Sequence, residues 1–212
     1  MKKHGLKQAK YCYIKRVNNR FIQIDKEFNE RELNTRNIIF ELGFPMFVKP
    51  SNAGSSVGVR KVNNKEELYA AIQHASKYDD KIIVEEAING REIECAVIGN
   101  DEVEASGTGE ILAADEFYSY DAKYKNTQSK TIIPSGIKEE QEIRRQAIKA
   151  FKAIDGKGLS RVDFFVTKEG NIYINEINTM PGFTNISMYA KLWKEAGVEF
   201  KELIDKLIEL AV

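Results

Sequence analysis

Cysteine, histidine and net charge are all scarce in this 212-residue sequence, and each scarcity removes a class of protein. Cys12 and Cys95 stand far apart, with no histidine or cysteine nearby at metal-binding spacing, so neither a disulfide framework nor a zinc site is expected. Free thiols in a reducing cytoplasm are the expected state. The 32 basic residues cancel the 32 acidic ones, leaving no global field to draw the chain to nucleic acid or to an anionic membrane. An anionic ligand must therefore be held locally. No apolar run approaches the roughly 18 residues of a membrane span, and none follows Met1 as the core of a signal peptide. Repeats and low-complexity segments are absent too. What remains is 42% apolar, 10% aromatic and 30% charged, the composition of a globular protein with material for a sizeable core.

Periodicity divides the chain into strands and helices in mixed order. Residues 10–16 alternate as a strand; 29–42 suit a helix closed by Gly43; 46–49 suit a buried strand ended by Pro50; 57–62 suit another strand. Asn64 can cap a helix with Glu67 at its third position, after which Leu68, Ala71, Ile72 and Ala75 form one apolar stripe. A strand over 82–88 ends at Asn89-Gly90, where a boundary between two lobes, 1–90 and 91–212, is expected. Strands at 93–98 and 103–107 follow. The pattern then dissolves over 108–136, too long for an ordinary connection, and this stretch reads as a lid or as disorder. A helix over 139–154, with Ile143, Ala147, Ile148, Phe151 and Ile154 on one face, precedes strands at 159–166 and 171–177. Helices at 187–196 and 199–211 close the chain, with Trp193 and Phe200 read as core. This order argues an α+β architecture of two lobes.

The densest chemistry lies in Arg161-Val-Asp163 and Glu176-Ile-Asn178. A symmetric hairpin through Glu169-Gly170 carries Asp163 across from Glu176 and Arg161 across from Asn178, so all four project from one face. Two carboxylates that close repel unless a cation lies between them, and oxygen donors without histidine or cysteine suit Mg²⁺ or Mn²⁺. A surface hairpin whose carboxylates pair with Arg161 accommodates the same residues. Lys49-Pro-Ser-Asn-Ala-Gly-Ser-Ser-Val-Gly58 sets a cation before a glycine- and serine-rich loop, which can approach phosphate oxygens although it is no Walker motif; a plain turn fits it as well. Glu85 to Ile88 ends a strand at the lobe boundary, with Glu92 just beyond it. Strand-end backbone can read an adenine edge and a carboxylate can accept from two ribose hydroxyls, although for this segment read alone an ordinary exposed acidic turn is favoured.

Taken in order, V-K-P-S-N-A-G-S-S-V-G, E-E-A-I-N-G-R-E, F-Y-S-Y-D-A-K-Y, S-R-V-D-F-F and N-E-I-N-T-M-P-G-F-T resemble the ATP-grasp ligases, and closely the D-alanine–D-alanine ligases of cell-wall synthesis. The resemblance implies an ATP-grasp fold, with the nucleotide cleft between the lobes. It also implies ATP-dependent joining of two D-alanines through an acyl phosphate. Lys49, Ser55 and Ser56 would lie over the phosphates of ATP. Glu85, Glu86, Ala87 and Ile88 would form the adenine hinge and Glu92 would hold the ribose. Asp163, Glu176 and Asn178 would ligate two Mg²⁺ or Mn²⁺ ions. Arg161 would stabilise the reacting carboxyl group and Lys123 would reach the γ-phosphate from the lid, with Tyr124 near Ser55. Gly182 would donate an N–H to the oxyanion, and Ser187 and Met188 would meet the carboxylate of the second D-alanine. A homodimer is expected when full length, and the missing span and signal-peptide core make a cytoplasmic protein the expectation. Family members also carry an N-terminal domain with no counterpart in these 212 residues, so a C-terminal portion is expected. Its alternatives are a nucleotide-binding fragment without turnover alone, or a ligase taking D-lactate or D-serine second.

Overall fold

The computed structural model describes residues 1–54, 56–112 and 130–212. Within these, the chain forms two compact units. One comprises residues 9–88 and is built from β1 (Tyr11–Val17), β2 (Arg20–Ile24), β3 (Glu30–Glu32), α1 (Thr35–Leu42), β4 (Met46–Pro50), β5 (Arg60–Val62), α2 (Lys65–Ala75) and β6 (Lys81–Glu86). Its six strands form one antiparallel sheet in the order β3-β2-β1-β6-β4-β5. The α2 cap forms between the expected residues: Asn64 Oδ1 accepts the Glu67 N–H at 3.1 Å, and the Glu67 carboxylate accepts the Asn63 N–H at 2.8 Å. Leu68, Ala71, Ile72 and Ala75 are buried against Ile38, Leu42, Met46, Val48, Ile82 and Val84.

Two expectations for this unit are corrected. The helix predicted over 29–42 begins only at Thr35, because Asn34 caps it and Glu30–Glu32 pairs with β2. Asp25 enforces that return by accepting the N–H groups of Glu27 and Asn29 at 3.0 and 2.8 Å, a local turn that competes with helix. The strand predicted over 57–62 shortens to β5, since the Val57 N–H bonds the Gly54 carbonyl and the Val59 N–H that of Ser56.

The other unit comprises residues 1–8, 89–112 and 130–212. It contains β7 (Arg91–Gly99), β8 (Val103–Leu112), β9 (Lys130–Ile132), α3 (Glu140–Ala153), β10 (Gly158–Val166), β11 (Ile172–Asn178), α4 (Met188–Glu195) and α5 (Phe200–Ala211). The antiparallel sheet runs β11-β10-β7-β8-β9. On one face Ile93, Cys95, Val97, Val162, Phe164 and Val166 pack on Ile143, Ala147, Ala150 and Phe151 of α3. On the other, Ala96 and Ile98 pack on Tyr189, Leu192 and Trp193 of α4 and Leu203 of α5. The first eight residues belong here rather than with the strands that follow them, since Leu6 is buried in the α3 core and the Lys7 carbonyl accepts the Ile174 N–H at 2.9 Å. Ile154 leaves the predicted apolar stripe of α3, being 41% exposed just past the helix end, and Ala150 takes its place.

β8 extends to Leu112 and β9 begins at Lys130, so the ends of the predicted lid are sheet, and residues 113–129 lie outside the described residues. Among the described residues no helix is long and apolar enough to cross a membrane. Gly90 enters β7 against the β10 end: a Cβ there would come within 2.6 Å of the Val166 carbonyl oxygen, so only glycine allows the approach.

Candidate functional site

The site grows from a register. β10 and β11 pair Asp163 with Glu176 and Arg161 with Asn178, while β10 and β7 pair Asp163 with Glu94 and Phe165 with Glu92. The hairpin reaches this by another route than expected. Near its turn the pairs are Val166 with Ile172 and Phe164 with Ile174, and the register shifts between Asp163 and Phe164, leaving Asn175 as an extra residue. Such a bulge re-aims the side chains beyond it. Before it Ile172 and Ile174 face the α3 core; after it Ile177 packs there, and Glu176 and Asn178 turn to the opposite face beside Asp163. Glu94, Asp163 and Glu176 therefore lie in one row across three strands, with Arg161 one pair along.

Arg161 organises the row. Its Nε and Nη2 donate to the two oxygens of Asp163, both at 2.8 Å, and its Nε lies 3.3 Å from Glu94 Oε2. Asn178 Nδ2 donates to Asp163 Oδ2 at 3.0 Å and to Glu176 Oε1 at 3.2 Å, tying the carboxylates together. Burial pushes the Asp163 carboxyl up to about 6; Arg161 opposes that rise, and the Glu176 and Glu92 charges add to it. The Arg161 guanidinium, desolvated but bonded to Asp163 and facing Glu94 and Glu176, is held above its ordinary range. Buried like charges beside a guanidinium favour positive charge at this position.

The donors at that position suit a hard divalent cation. Among the described residues no three His, Cys, Asp or Glu side chains converge to hold a metal, so Asp163 and Glu176 need an amide as third donor. Asn178 is placed to supply it: its side chain already touches both carboxylates, and turning the amide over would present Oδ1 in place of Nδ2.

The same unit brings Gly182 and Ser187 together, since a Cβ on Gly182 would lie 3.3 Å from Ser187 Oγ. Ser187 occupies the N-cap of α4 without capping it; its Oγ accepts the Thr184 N–H at 3.1 Å and bonds the Thr184 hydroxyl at 2.9 Å. That leaves first-turn N–H groups of α4 without intrahelical partners. The Met188 side chain points elsewhere, 8% exposed in the core beside Tyr189 and Leu192, so only its backbone remains at the helix start.

In the unit of residues 9–88, Lys49 Nζ forms an ion pair with Glu85 Oε1 at 2.7 Å, joining two of the predicted nucleotide residues. The Glu86 carboxylate accepts the Lys10 N–H at 2.8 Å, and the Ala87 N–H bonds the Pro45 carbonyl, so the segment leading to Ile88 is tied to the residues that lead into β1 and β4. Ser56 takes a positive φ of 60° in the turn after Gly54. Ser55, Lys123 and Tyr124 lie outside the described residues. Glu94 is not among the residues expected from sequence. The signal was available, because Glu92 and Glu94 alternate with Ile93 and Cys95 on a strand next to β10.

Two α+β units with antiparallel sheets and a carboxylate hairpin define an ATP-grasp fold, and the solved structures that match have it. The D-Ala:D-Ser ligase VanG of Enterococcus faecalis matches with a TM-score of 0.85 and 39% identity, over 100% of this chain and 59% of that one. The D-alanine-D-alanine ligase of Coxiella burnetii matches with a TM-score of 0.80 and 34% identity, over 99% and 53%. The family model described as "D-ala D-ala ligase C-terminus" matches residues 1–209. The D-alanine--D-alanine ligases of Acetivibrio thermocellus and Bacillus velezensis are 54% and 57% identical, covering 99% and 98% of the chain. The chain belongs to the D-alanine–D-alanine ligase C-terminal family. It spans 54% and 57% of the length of those two relatives.

Proposed function

We propose that this chain carries the nucleotide- and cation-handling part of an ATP-dependent ligase that joins two D-alanines for cell-wall synthesis in the cytoplasm. The observation that supports it most is the row of Asp163, Glu176 and Asn178 with Arg161 beside it, a donor set for a hard cation next to a guanidinium able to face a carboxylate. The relatives named as D-alanine ligases, at 54% and 57% identity, supply the substrate class.

In this reading a carboxylate oxygen of the first D-alanine attacks the γ-phosphorus of ATP, ADP leaves, and an acyl phosphate forms. The amine of the second D-alanine then attacks the acyl carbon, phosphate departs with the bonding pair, and the amine loses a proton. Phosphoryl transfer asks chiefly for positioning and charge neutralisation. Two Mg²⁺ or Mn²⁺ ions held by Asp163, Glu176 and Asn178 would supply neutralisation of the triphosphate charge. Lys49, Ser55, Ser56 and Lys123 would hold the phosphates, Glu85, Glu86, Ala87 and Ile88 the adenine, and Glu92 the ribose. Arg161 and the Gly182 N–H would stabilise the tetrahedral oxyanion. Ser187 and the backbone N–H at Met188 would bind the carboxylate of the second amino acid. Tyr124 would lie near Ser55.

Phosphate release by the 212-residue chain with Mg-ATP tests the reading. Release that depends on D-alanine supports it, and nucleotide binding without such release marks a fragment that needs a partner portion for turnover. The 39% identity to a D-Ala:D-Ser ligase supports a second reading for the second substrate, and D-serine competing with D-alanine for incorporation decides between them.

A further inference from the structure

We infer that Glu94 is a positioning residue for Arg161, keeping its guanidinium in place when a divalent cation takes Asp163. The inference rests on reading Asp163, Glu176 and Asn178 as cation donors, and it concerns the opposite side of Asp163. β7 and β11 flank β10 on its two sides, so Glu94 and Glu176 stand two strands apart, about 10 Å along the row. The amide of Asn178 marks the β11 side, where a cation would meet Asp163 and Glu176. Arg161 marks the β7 side, with Asp163 and Glu94 both within reach.

Arg161 has two tasks that conflict. In the structure both of its bonded nitrogens serve Asp163. To donate to a reacting carboxyl group it must give up part of that bidentate contact, and a cation on Asp163 removes the carboxylate's spare charge in the same event. A guanidinium whose side chain is only 21% exposed would then lack a counter-charge and would swing or repel the cation. Glu94 prevents this. Its side chain is 7% exposed, its Oε2 lies 3.3 Å from Arg161 Nε, and it projects from a central strand whose neighbouring residues, Ile93 and Cys95, are locked in the α3 core. The Arg161 Nε can thus shift its N–H from Asp163 to the adjacent Glu94 Oε2 while Nη2 turns to substrate. Without Glu94 the guanidinium would hold Asp163 harder and compete with the cation for it.

The test is a double-mutant cycle read by Mn²⁺ affinity in the presence of ADP, with free Mn²⁺ followed by paramagnetic resonance. Glu94→Gln weakens Mn²⁺ about tenfold in the native background, the size of loss seen for partners that orient ligand-bearing groups. In an Arg161→Met background the same substitution changes affinity less than about twofold, because the residue through which Glu94 acts is gone. Equal weakening in both backgrounds would mean a direct through-space effect and would overturn the inference, as would no weakening in either. Glu94→Asp, which keeps the charge but shortens its reach, shows a smaller loss with the same dependence on Arg161, and serves if Glu94→Gln does not fold. Asp163→Asn separates the two levels: Mn²⁺ binding unaffected by it refutes the cation reading itself, whereas binding lost there but unchanged in Glu94→Gln refutes only the role of Glu94.

Discussion

Removing Arg161 in the absence of metal exposes how much the charged row depends on it. Arg161→Met keeps the length of the stem and deletes the guanidinium that Asp163 meets at 2.8 Å through two bonds. Unit charges at that separation attract by about 6 kcal/mol at an effective dielectric near 20, an upper figure from which desolvation subtracts. Breaking a buried pair by deleting one partner costs about 3–5 kcal/mol, and that is the loss expected near pH 8. The pH dependence fixes the cause. Burial already raises the Asp163 carboxyl to about 6, and Arg161 is what restrains it, so the variant's carboxyl rises further. A carboxyl raised in the folded state favours folding when protonated: its contribution is fully present below the ordinary value of 3.8 and is lost as pH rises through about 6. The deficit of Arg161→Met should therefore be largest at pH 8, shrink toward pH 5, and be partly repaired at pH 8 by Mg²⁺. Urea denaturation followed by the fluorescence of Trp193, the single tryptophan and a core residue of the same unit, reads the loss where it occurs. A loss below about 1 kcal/mol, of the size found for exposed pairs, or one independent of pH, would refute the picture of a desolvated Asp163–Arg161 pair.

Other consequences are independent of the site. Burial pushes the Cys12 thiol up to about 11 and the Cys95 thiol up to about 12, so neither should react with a thiol reagent at pH 7.5 to 8 until the protein is unfolded, when both should titrate at once. Gly90→Ala forces a methyl group against the Val166 carbonyl and should cost about 1–3 kcal/mol by calorimetric or denaturant unfolding. Arg145 and then Gln146 hold the Glu142 carboxyl down at about 2; the stabilisation this gives is present above the ordinary 4.5 and is lost as pH falls through about 2. Because Glu142 is 42% exposed the pair is worth no more than about 0.5 kcal/mol, so Arg145→Ala should move the Glu142 titration upward, part of the way to its ordinary range because the Gln146 bond remains, while leaving the melting temperature almost unchanged.

Much of this site is written in local sequence, but its most telling pair is legible for a partly mistaken reason. A symmetric turn through Glu169-Gly170 does place Asp163 opposite Glu176, yet the real turn closes one residue earlier and the bulge at Asn175 restores the count. Without the bulge Glu176 would share a face with Ile174 and point into the α3 core. Alternation within a strand cannot announce a bulge, because the extra residue is paid for by pairing with another strand. Alternation along β7 marks the face of Glu94, but its meaning depends on β7 lying beside β10, where it pairs with the sequence-distant Asp163. Met188 shows the converse. The resemblance names Met188 without saying which of its atoms would meet a ligand, and only packing shows that its side chain lies in the core. The α1 boundary failed for a local reason: three charged residues in Glu30–Glu32 carry no apolar stripe, and pairing with β2 outweighs their helix propensity.

The most direct test of the central claim is calorimetric titration of ATP into the chain with Mg²⁺ present, with EDTA in its place, and with Glu176→Gln, whose exposed position spares the fold. Saturable binding that requires Mg²⁺ and is lost in Glu176→Gln is the predicted result. Equal ATP affinity in all three would show that the carboxylate row does not receive the metal-bound nucleotide, and would contradict the account.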